Sequence, residues 1–373
     1  PPPPPPSPSI MSTPPNASEP EELEDPRAVV ATVVSIVVAA AVLWTAFSFR
    51  MYRKAKDAAL ARRAAPPCAT LADVAAVLPL VESPDPIDPP ALLAAIAAAP
   101  AIDALARLAA HHARALRSLH AALLSRGALR AEFSAAPREV AVLLLLHKAA
   151  PAPPHRLLLP LAAAAVDGAL YMLPSLYEAS VKAKRLSAAL AALSLQACLK
   201  AGLWSDTDPE CISIEREQLA AAGVPYPDIR VRASARSWMR QPEIHAGKMV
   251  ELEVVVERAH AGESNAKHQK KVPRDGKLVP VMETYACIIS RETDTDGGSK
   301  GSIVGCVDVD VYDVKQEEAK GILKIVAPKL PGTYEFCVYV RSAVLLGVRA
   351  EAKCSFDVVS EQPTRQEADS DYD

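Results

Sequence analysis

The sequence predicts an α+β protein in which a single transmembrane helix precedes a helical bundle and an antiparallel β-sandwich. Three patterns support this prediction. Residues 28–49 carry no charged side chain, apolar residues recur at helical spacing from Leu71 to about Trp204, and six later segments alternate between apolar and polar residues. At 373 residues the chain has room for about two or three domains, because one domain takes about 100–200 residues.

The uncharged run at residues 28–49 is long enough to cross a lipid bilayer. Its sequence is AVVATVVSIVVAAAVLWTAFSF, which as a helix would span about 30 Å, the thickness of the hydrocarbon layer. Trp44 and Tyr52 lie where an aromatic belt would meet the membrane surface. A buried core helix and a cleaved signal peptide are the alternatives. The preceding segment is acidic, whereas a signal peptide begins with basic residues, so we predict a transmembrane helix.

The charges on the two sides of this run predict its orientation. Residues 1–27 form a Pro-rich, acidic segment, and a basic juxtamembrane segment and linker follow the run at residues 50–90. Basic residues remain on the cytoplasmic side of a membrane, so we expect a lumenal N-terminus and a cytosolic C-terminal region. Asn16 then belongs to a lumenal Asn16-Ala17-Ser18 sequon and is a candidate for glycosylation.

Proline is expected to divide the helical region. Pro residues recur between positions 84 and 174, and Pro either stops a helix or lies in its first turn. We therefore predict about five or six helices from Leu71 to Trp204, with the bundle proper at residues 91–204. The apolar runs Val142–Leu146 and Leu157–Leu161 are too short to cross a bilayer, so we predict one membrane span only.

A polar connector at residues 205–227 is predicted to lead into a sandwich at residues 228–359. Within Thr333–Val340, the side chains of Tyr334, Phe336 and Val338 fall on one face, as in a half-buried antiparallel strand. Short strands separated by turn residues are typical of a sandwich of the fibronectin type III or immunoglobulin-like kind. The predicted strands are Met249–Val256, Thr284–Ile289, Ile303–Val311, Gly321–Val326, Thr333–Val340 and Ala352–Val359.

Two charged segments are candidates for binding a partner. Within the polar insertion at residues 260–280, a possible basic patch comprises Lys267, Lys270, Lys271 and Arg274. The alternatives are a solvated loop between strands and a surface for anionic lipid head groups or an acidic partner. Residues 360–373 form an acidic tail that is expected to be disordered. Its candidate partner-binding residues are Glu367, Asp369, Asp371 and Asp373, and its candidate phosphorylation site is Ser370.

No catalytic, cofactor-binding or metal-binding motif is apparent, so the sequence does not predict an enzyme. Phosphate loops, dinucleotide fingerprints and zinc-protease motifs are missing, and the seven Cys include no closely spaced pair. A metal site at His111, His112 and His120 is conceivable, but a solvated helix face is the preferred interpretation. Asp308 and Asp310 are interpreted as exposed strand residues. A net charge of −3 argues against nucleic-acid binding.

Several segments resemble the Sec sixty-three family, the membrane subunit of the post-translational translocon of the endoplasmic reticulum. The resemblance covers about residues 90–360, and the order of its motifs carries it. The segments are Asp167-Gly-Ala-Leu-Tyr171 through Tyr177-Glu-Ala, Ala188 through Ser194-Leu-Gln196, Gly202-Leu-Trp204, Ala327-Pro328 through Pro331-Gly332-Thr-Tyr334-Glu-Phe336, Arg341-Ser342, and Leu346-Gly347-Val348. Large RNA helicases share this region, but this chain has a predicted span and no nucleotide-binding motif.

The resemblance implies a non-enzymatic subunit of the protein translocation complex in the endoplasmic reticulum membrane. Its partners would be the protein-conducting channel and, through the acidic tail, the companion subunit Sec sixty-two. Recruitment of a BiP-type chaperone is not implied, because the chain has no His-Pro-Asp tripeptide of a J domain. The alternative function is a membrane-tethered adaptor that retains the fold but binds another trafficking or lipid partner.

Overall fold

The computed structural model describes residues 69–129, 133–151, 155–223, 225–261, 270–274, 277–281, 283–292, 301–313 and 315–360. The chain divides into two compact units, residues 1–64 and 65–373, and every described residue belongs to the second. The predicted transmembrane run at residues 28–49, the sequon at Asn16 and the tail with Ser370 lie outside the described residues. Predictions about these segments therefore remain predictions.

Helices make up the first half of the described chain. In this part of the protein there are eight α-helices and two short 3-10 helices, at Ala110–His112 and His147–Ala149. The α-helices are α1 (Leu71–Glu82), α2 (Pro89–Ala97), α3 (Pro100–Ala109), α4 (Ala113–Leu124), α5 (Pro137–Leu145), α6 (Leu159–Lys182), α7 (Leu186–Ala201) and α8 (Pro209–Ala221).

Proline begins several helices, as the sequence predicts, because the first turn of a helix needs no amide donor. Asp88 caps α2 by accepting a hydrogen bond from the backbone of Ala91, 2.8 Å away. Two details go beyond or differ from the prediction. Pro174 lies inside α6 instead of ending it, because the neighbouring Leu173 and Leu176 are fully buried and hold the turn in place. The predicted connector at residues 205–227 contains helix α8.

Helix α6 passes a length and composition test for a membrane span. Among the described residues, α6 is the one helix that passes this test by itself. Helix α2 and the helical segment Pro100–Leu124 pass it only when they are taken together, and a bend of 73° separates them. Within the most apolar window of α6, 44% of the residues are buried inside the protein. Its buried side chains, including Ala165, Ala169 and Met172, join the apolar core formed by the other helices.

Two larger sheets follow the helices, and their strand pairs are antiparallel except for one. The strands are β1 (Ile229–Ser237), β2 (Ile244–His245), β3 (Met249–Arg258), β4 (Lys270–Arg274), β5 (Lys277–Val281), β6 (Glu283–Arg291), β7 (Ile303–Val311), β8 (Glu318–Val326), β9 (Gly332–Arg341) and β10 (Arg349–Val359). One sheet has the order β1-β3-β8 and the other β2-β10-β9-β6-β7, with β2 parallel to β10. Strands β4 and β5 form a separate two-stranded sheet.

The two larger sheets share one apolar core. Val250 and Val254 of β3 belong to the same buried cluster as Tyr334 and Phe336 of β9. The predicted buried face of β9 is confirmed, since Tyr334, Phe336, Val338 and Val340 are each at most 2% exposed. Phe336 also stacks on Phe356, with ring centroids 5.2 Å apart.

The outer face of the five-stranded sheet is covered by helices. Ala189 and Leu193 of α7 form a buried cluster with Ala286 and Ile288 of β6. Strand β6 is therefore buried on both faces, which explains the almost continuous apolar run of residues 285–289. The helical part and the sheets consequently belong to one compact unit, residues 65–373.

Candidate functional site

The insertion that carries the possible basic patch is a β-hairpin in part. Strands β4 and β5 pair antiparallel, from Lys270 opposite Val281 to Arg274 opposite Lys277. The interpretation of the whole insertion as a loop is therefore wrong for these residues. Lys270, Lys271 and Arg274 lie on β4, and Lys267 lies outside the described residues. The structure thus places three of the four patch residues on one short strand.

A buried ion pair closes the base of this insertion. Arg258 ends β3 and Glu283 begins β6, so the pair joins the two strands that flank the insertion and that belong to different sheets. The Arg258 guanidinium donates from Nε to Oε2 at 2.9 Å and from Nη2 to Oε1 at 3.0 Å. The two side chains are only 1% and 4% exposed. An Arg–carboxylate pair with two such hydrogen bonds is among the strongest ion pairs in proteins.

Neighbouring side chains complete the polar cluster around Glu283. The Nε2 atom of His260 lies 2.9 Å from Oε1, and the Tyr285 hydroxyl donates a short hydrogen bond to Oε2. A third contact anchors Arg258, whose Nη1 donates to the backbone carbonyl oxygen of Gln316 before β8. We call Arg258, His260, Glu283 and Tyr285 the buried ionic cluster. It links β3 of one sheet to β6 of the other, the strands that precede and follow the basic hairpin in the chain.

The electrostatics of this cluster favour an ionised Glu283. Burial alone would raise the pKa of its carboxyl group, but hydrogen bonds from His260, Arg258 and Tyr285 outweigh burial and lower the pKa to about 2. Burial and the nearby Glu283 charge raise the pKa of the Tyr285 hydroxyl, which therefore stays protonated and can donate. The ionised Glu283 and the protonated Tyr285 thus form a charge-assisted hydrogen bond inside the cluster.

A cavity of about 520 Å³ adjoins this cluster, between α6, α7 and β6. Glu283 and Tyr285 line one side of it, and the segment after β9, including Ala343, lines another. Lys200 Nζ donates to the Ala343 carbonyl oxygen at 3.2 Å, and burial lowers the pKa of this lysine. The cavity walls carry both acidic and basic groups, which does not single out one class of ligand.

Asp308 and Asp310 lie on the outer face of β7, as their alternation predicts. Asp310 accepts a hydrogen bond from the Thr284 hydroxyl at 2.6 Å, and Asp308 pairs across the strand with Ala286. Asp308 is exposed and also lines the cavity beside α6. Asp310 is therefore held in a structural contact between β6 and β7.

The His residues considered for a metal site lie far from the ionic cluster along the chain. His111, His112 and His155 line a cavity of about 820 Å³, together with Arg114. His120 instead packs edge-on against Phe133, with ring centroids 5.6 Å apart. Across the described residues, no group of three or more His, Cys, Asp or Glu side chains could hold a metal ion.

Two of the segments that resemble the Sec sixty-three family meet at one place in the fold. Leu203, from Gly202-Leu-Trp204, forms a buried cluster with Leu346, from Leu346-Gly347-Val348. Gly347 has a left-handed backbone with φ of +65°, and a Cβ atom there would lie 2.8 Å from Ile212 of α8. The Glu215 carboxylate accepts a hydrogen bond from the Leu346 amide. We call this region, where α7 and α8 meet the β9–β10 connection, the junction.

Sequence reasoning did not identify the buried ionic cluster. Arg258 and Glu283 are 25 positions apart, and their contact depends on how the two sheets face each other. One signal was present, since each is a charged residue at the strand end that borders the insertion. A charge in that position is costly to bury unless it has a partner.

Comparison with known proteins leaves the chain without an assigned family. No family model and no curated protein matches it. Among solved structures, the hydrophobin BslA is 14% identical over 36% of this chain and 100% of its own, with a TM-score of 0.19.

Two further structures give similar values. A Listeria innocua beta-glucosidase in complex with glucose is 11% identical over 36% of this chain and 16% of its own, with a TM-score of 0.20. The DNA glycosylase AlkC of Pseudomonas fluorescens, bound to DNA containing an abasic site analog, is 13% identical over 72% of this chain and 71% of its own, with a TM-score of 0.20. Likenesses at this level carry no conclusion about function.

Proposed function

We propose that this protein is a non-enzymatic subunit of the protein translocation complex of the endoplasmic reticulum, where it binds the protein-conducting channel and assists post-translational import. The observation that supports this proposal most is the junction. Sequence segments chosen for their resemblance to the Sec sixty-three family, around Leu203 and Leu346, are far apart in the chain and share one buried cluster. In this proposal the two-sheet part is a fibronectin type III or immunoglobulin-like sandwich.

The basic hairpin is the surface that we assign to the channel. Its flanking strands are held together by the Arg258–Glu283 pair, which would keep the hairpin in a constant position. A positioned group of cations suits an acidic partner surface, because complementary charges speed encounter and fix orientation. In this arrangement residues 28–49 anchor the protein in the membrane with its N-terminus in the lumen and its C-terminal region in the cytosol.

The acidic tail is proposed to bind a basic segment of the companion subunit Sec sixty-two. Ser370 is followed three residues later by Asp373, a pattern that acidophilic kinases accept, and a phosphate would add about −1.5 to −2 charges. A tail peptide should bind a basic partner segment more weakly at high salt and more tightly when Ser370 is phosphorylated. Equal binding of both forms at low salt would instead indicate a merely solubilising tail.

Depletion of the protein tests the proposed role directly. Microsomes from depleted cells should import a fully synthesised secretory precursor more slowly, and adding back the full chain should restore import. A precursor that is targeted during its synthesis is the control and should be affected less. Normal import of both precursors would favour the membrane-tethered adaptor, because an adaptor for lipid or another trafficking partner has no part in the channel.

A further inference from the structure

An exposed apolar patch lies at the opposite end of β3 from the basic hairpin. Its members are exposed large apolar residues that lie at one end of the first sheet and in the turn next to it. Trp238 is 45% exposed, Met239 is 76%, Met249 is 40% and Val326 is 62%. We call these four residues the Trp238 patch. Large apolar side chains at this exposure are unremarkable singly, but a contiguous group marks an interaction surface.

The patch is contiguous because the sheet brings its members together. The Trp238 amide donates to the carbonyl oxygen of Met249 at 3.1 Å. Met249 in turn lies directly opposite Val326 in the β3–β8 register, so these two side chains are on the same outer face. The next outward residue of β8, Lys324, places its ammonium group 3.4 Å from the centre of the Trp238 ring.

Cationic residues surround this apolar group. Arg240, Lys248, Lys324 and Lys329 are all exposed and lie in β8 or in the turns that flank the patch. Backbone hydrogen bonds hold the turns close to one another. The Ala327 amide donates to the Lys248 carbonyl oxygen, and the Gly247 amide donates to the Pro328 carbonyl oxygen. Among the described residues of the same turns, Glu243 is the one acid. On the strand face itself, Glu251 lies opposite Lys324 and pairs with Arg236. The cations at the rim of the patch therefore still outnumber the acids.

We propose that the Trp238 patch inserts into the head-group region of an anionic lipid bilayer. Tryptophan is favoured at the membrane interface, where its apolar ring and polar N–H meet different surroundings. Lysine and arginine bury their apolar stems and extend their charges toward anionic head groups. An apolar protein partner would fit Met239 and Val326 equally well, but it would give no reason for four cations around them.

The Trp238 patch could contact lipid whichever complex the protein joins. Strand β3 separates the patch from Arg258 by nine residues, about 30 Å at 3.3 Å per residue, so one end of the sheet could contact lipid while the hairpin at the other end contacts a partner. The sequence independently predicts a membrane anchor at residues 28–49.

Fluorescence quenching by brominated lipids tests the proposal with the full chain. The protein carrying Trp44→Phe, so that the predicted span contributes no signal, is reconstituted into vesicles of phosphatidylcholine alone or mixed with phosphatidylserine. We expect Trp238 to be quenched in the mixed vesicles and much less in phosphatidylcholine, with the difference lost at high salt. Trp238→Phe should lose the quenching and so identify the residue that reports it.

Charge variants separate lipid contact from other causes of quenching. The pair Lys248→Glu and Lys324→Glu should abolish quenching, whereas Lys353→Glu, exposed on β10 of the other sheet, should leave it unchanged. A photo-crosslinker at Met239 should form lipid adducts in native membranes. The proposal is overturned if quenching is the same with and without phosphatidylserine, or if the crosslinker captures a protein and no lipid.

Discussion

Arg258 and Glu283 form a buried, bidentate ion pair that joins β3 of one sheet to β6 of the other. The pair lies where the chain leaves and re-enters the sheets around the basic hairpin. Its two hydrogen bonds, 2.9 and 3.0 Å long, fix the separation of these strand ends. The stability of the two-sheet part therefore depends on this contact.

Removing one partner of this pair should destabilise the protein strongly. Glu283→Gln leaves the Arg258 guanidinium buried without its counter-charge, and breaking a buried pair in this way costs about 3–5 kcal/mol. The free energy of unfolding of the full chain, from denaturant titration, measures the loss. Glu318→Gln is the matched control, because its partner Arg232 is 61% exposed and exposed pairs contribute less than about 1 kcal/mol. Equal effects of the two substitutions would contradict this account.

Stability should also fall with acid in a defined pH window. The pKa of Glu283 is about 2 in the folded protein and 4.5 for the free side chain, so its contribution is complete above pH 4.5 and is lost as pH falls toward 2. The difference in unfolding free energy between the wild type and Glu283→Gln should shrink across that window. A difference that stays constant from neutral pH to pH 2 would show that the carboxylate charge is not responsible.

Phe336→Ala should reduce stability by about 3–5 kcal/mol, since it removes a fully buried ring from the core between the sheets. The stacked Phe356 would lose its neighbour at the same time. Glu335→Ala, on the exposed side of the same strand, is the control and should change little. An unchanged unfolding midpoint for Phe336→Ala would rule out this ring as part of the core.

The strands with clear alternation could be predicted closely from sequence. Strand β7 has the bounds predicted for it, Ile303–Val311, and its Val and Asp residues alternate strictly from Val307 to Val311. Strand β1 was missed because its less exposed residues include the small Ala233 and Ala235, which give a weak apolar signal. Its four exposed residues are all Arg or Ser. Helix α8 was missed because only three of its side chains are buried, among them Cys211 and Leu219.

The candidate site was predictable only in part. The charges of the basic insertion are visible in the sequence, but their placement on β4 is not, because Pro273 and the surrounding lysines weaken a strand prediction. The buried ionic cluster depends on tertiary contacts between strands of different sheets, and no local pattern encodes such contacts. The resemblance in sequence identified the segments that form the junction. Only the structure shows that these segments share a buried cluster.

The predicted membrane topology can be tested with sealed microsomes. The acidic residues before position 28 and the basic residues after position 49 predict a cytosolic C-terminus, so added protease should remove a C-terminal tag. Asn16 should be on the protected side, and Asn16→Gln should lose any glycan that an endoglycosidase can remove. Protection of the tag from protease in intact microsomes would show that the orientation is reversed.

The central claim is that the protein binds the protein-conducting channel, and co-purification tests it most directly. The tagged full chain is isolated from detergent-solubilised endoplasmic reticulum membranes, and the channel's large subunit is quantified in the eluate. The account predicts that the wild type and Lys353→Glu retain the subunit, whereas Lys271→Glu with Arg274→Glu on the hairpin retains much less. A wild-type protein that elutes without the channel subunit, under conditions that preserve the channel complex itself, would contradict the claim.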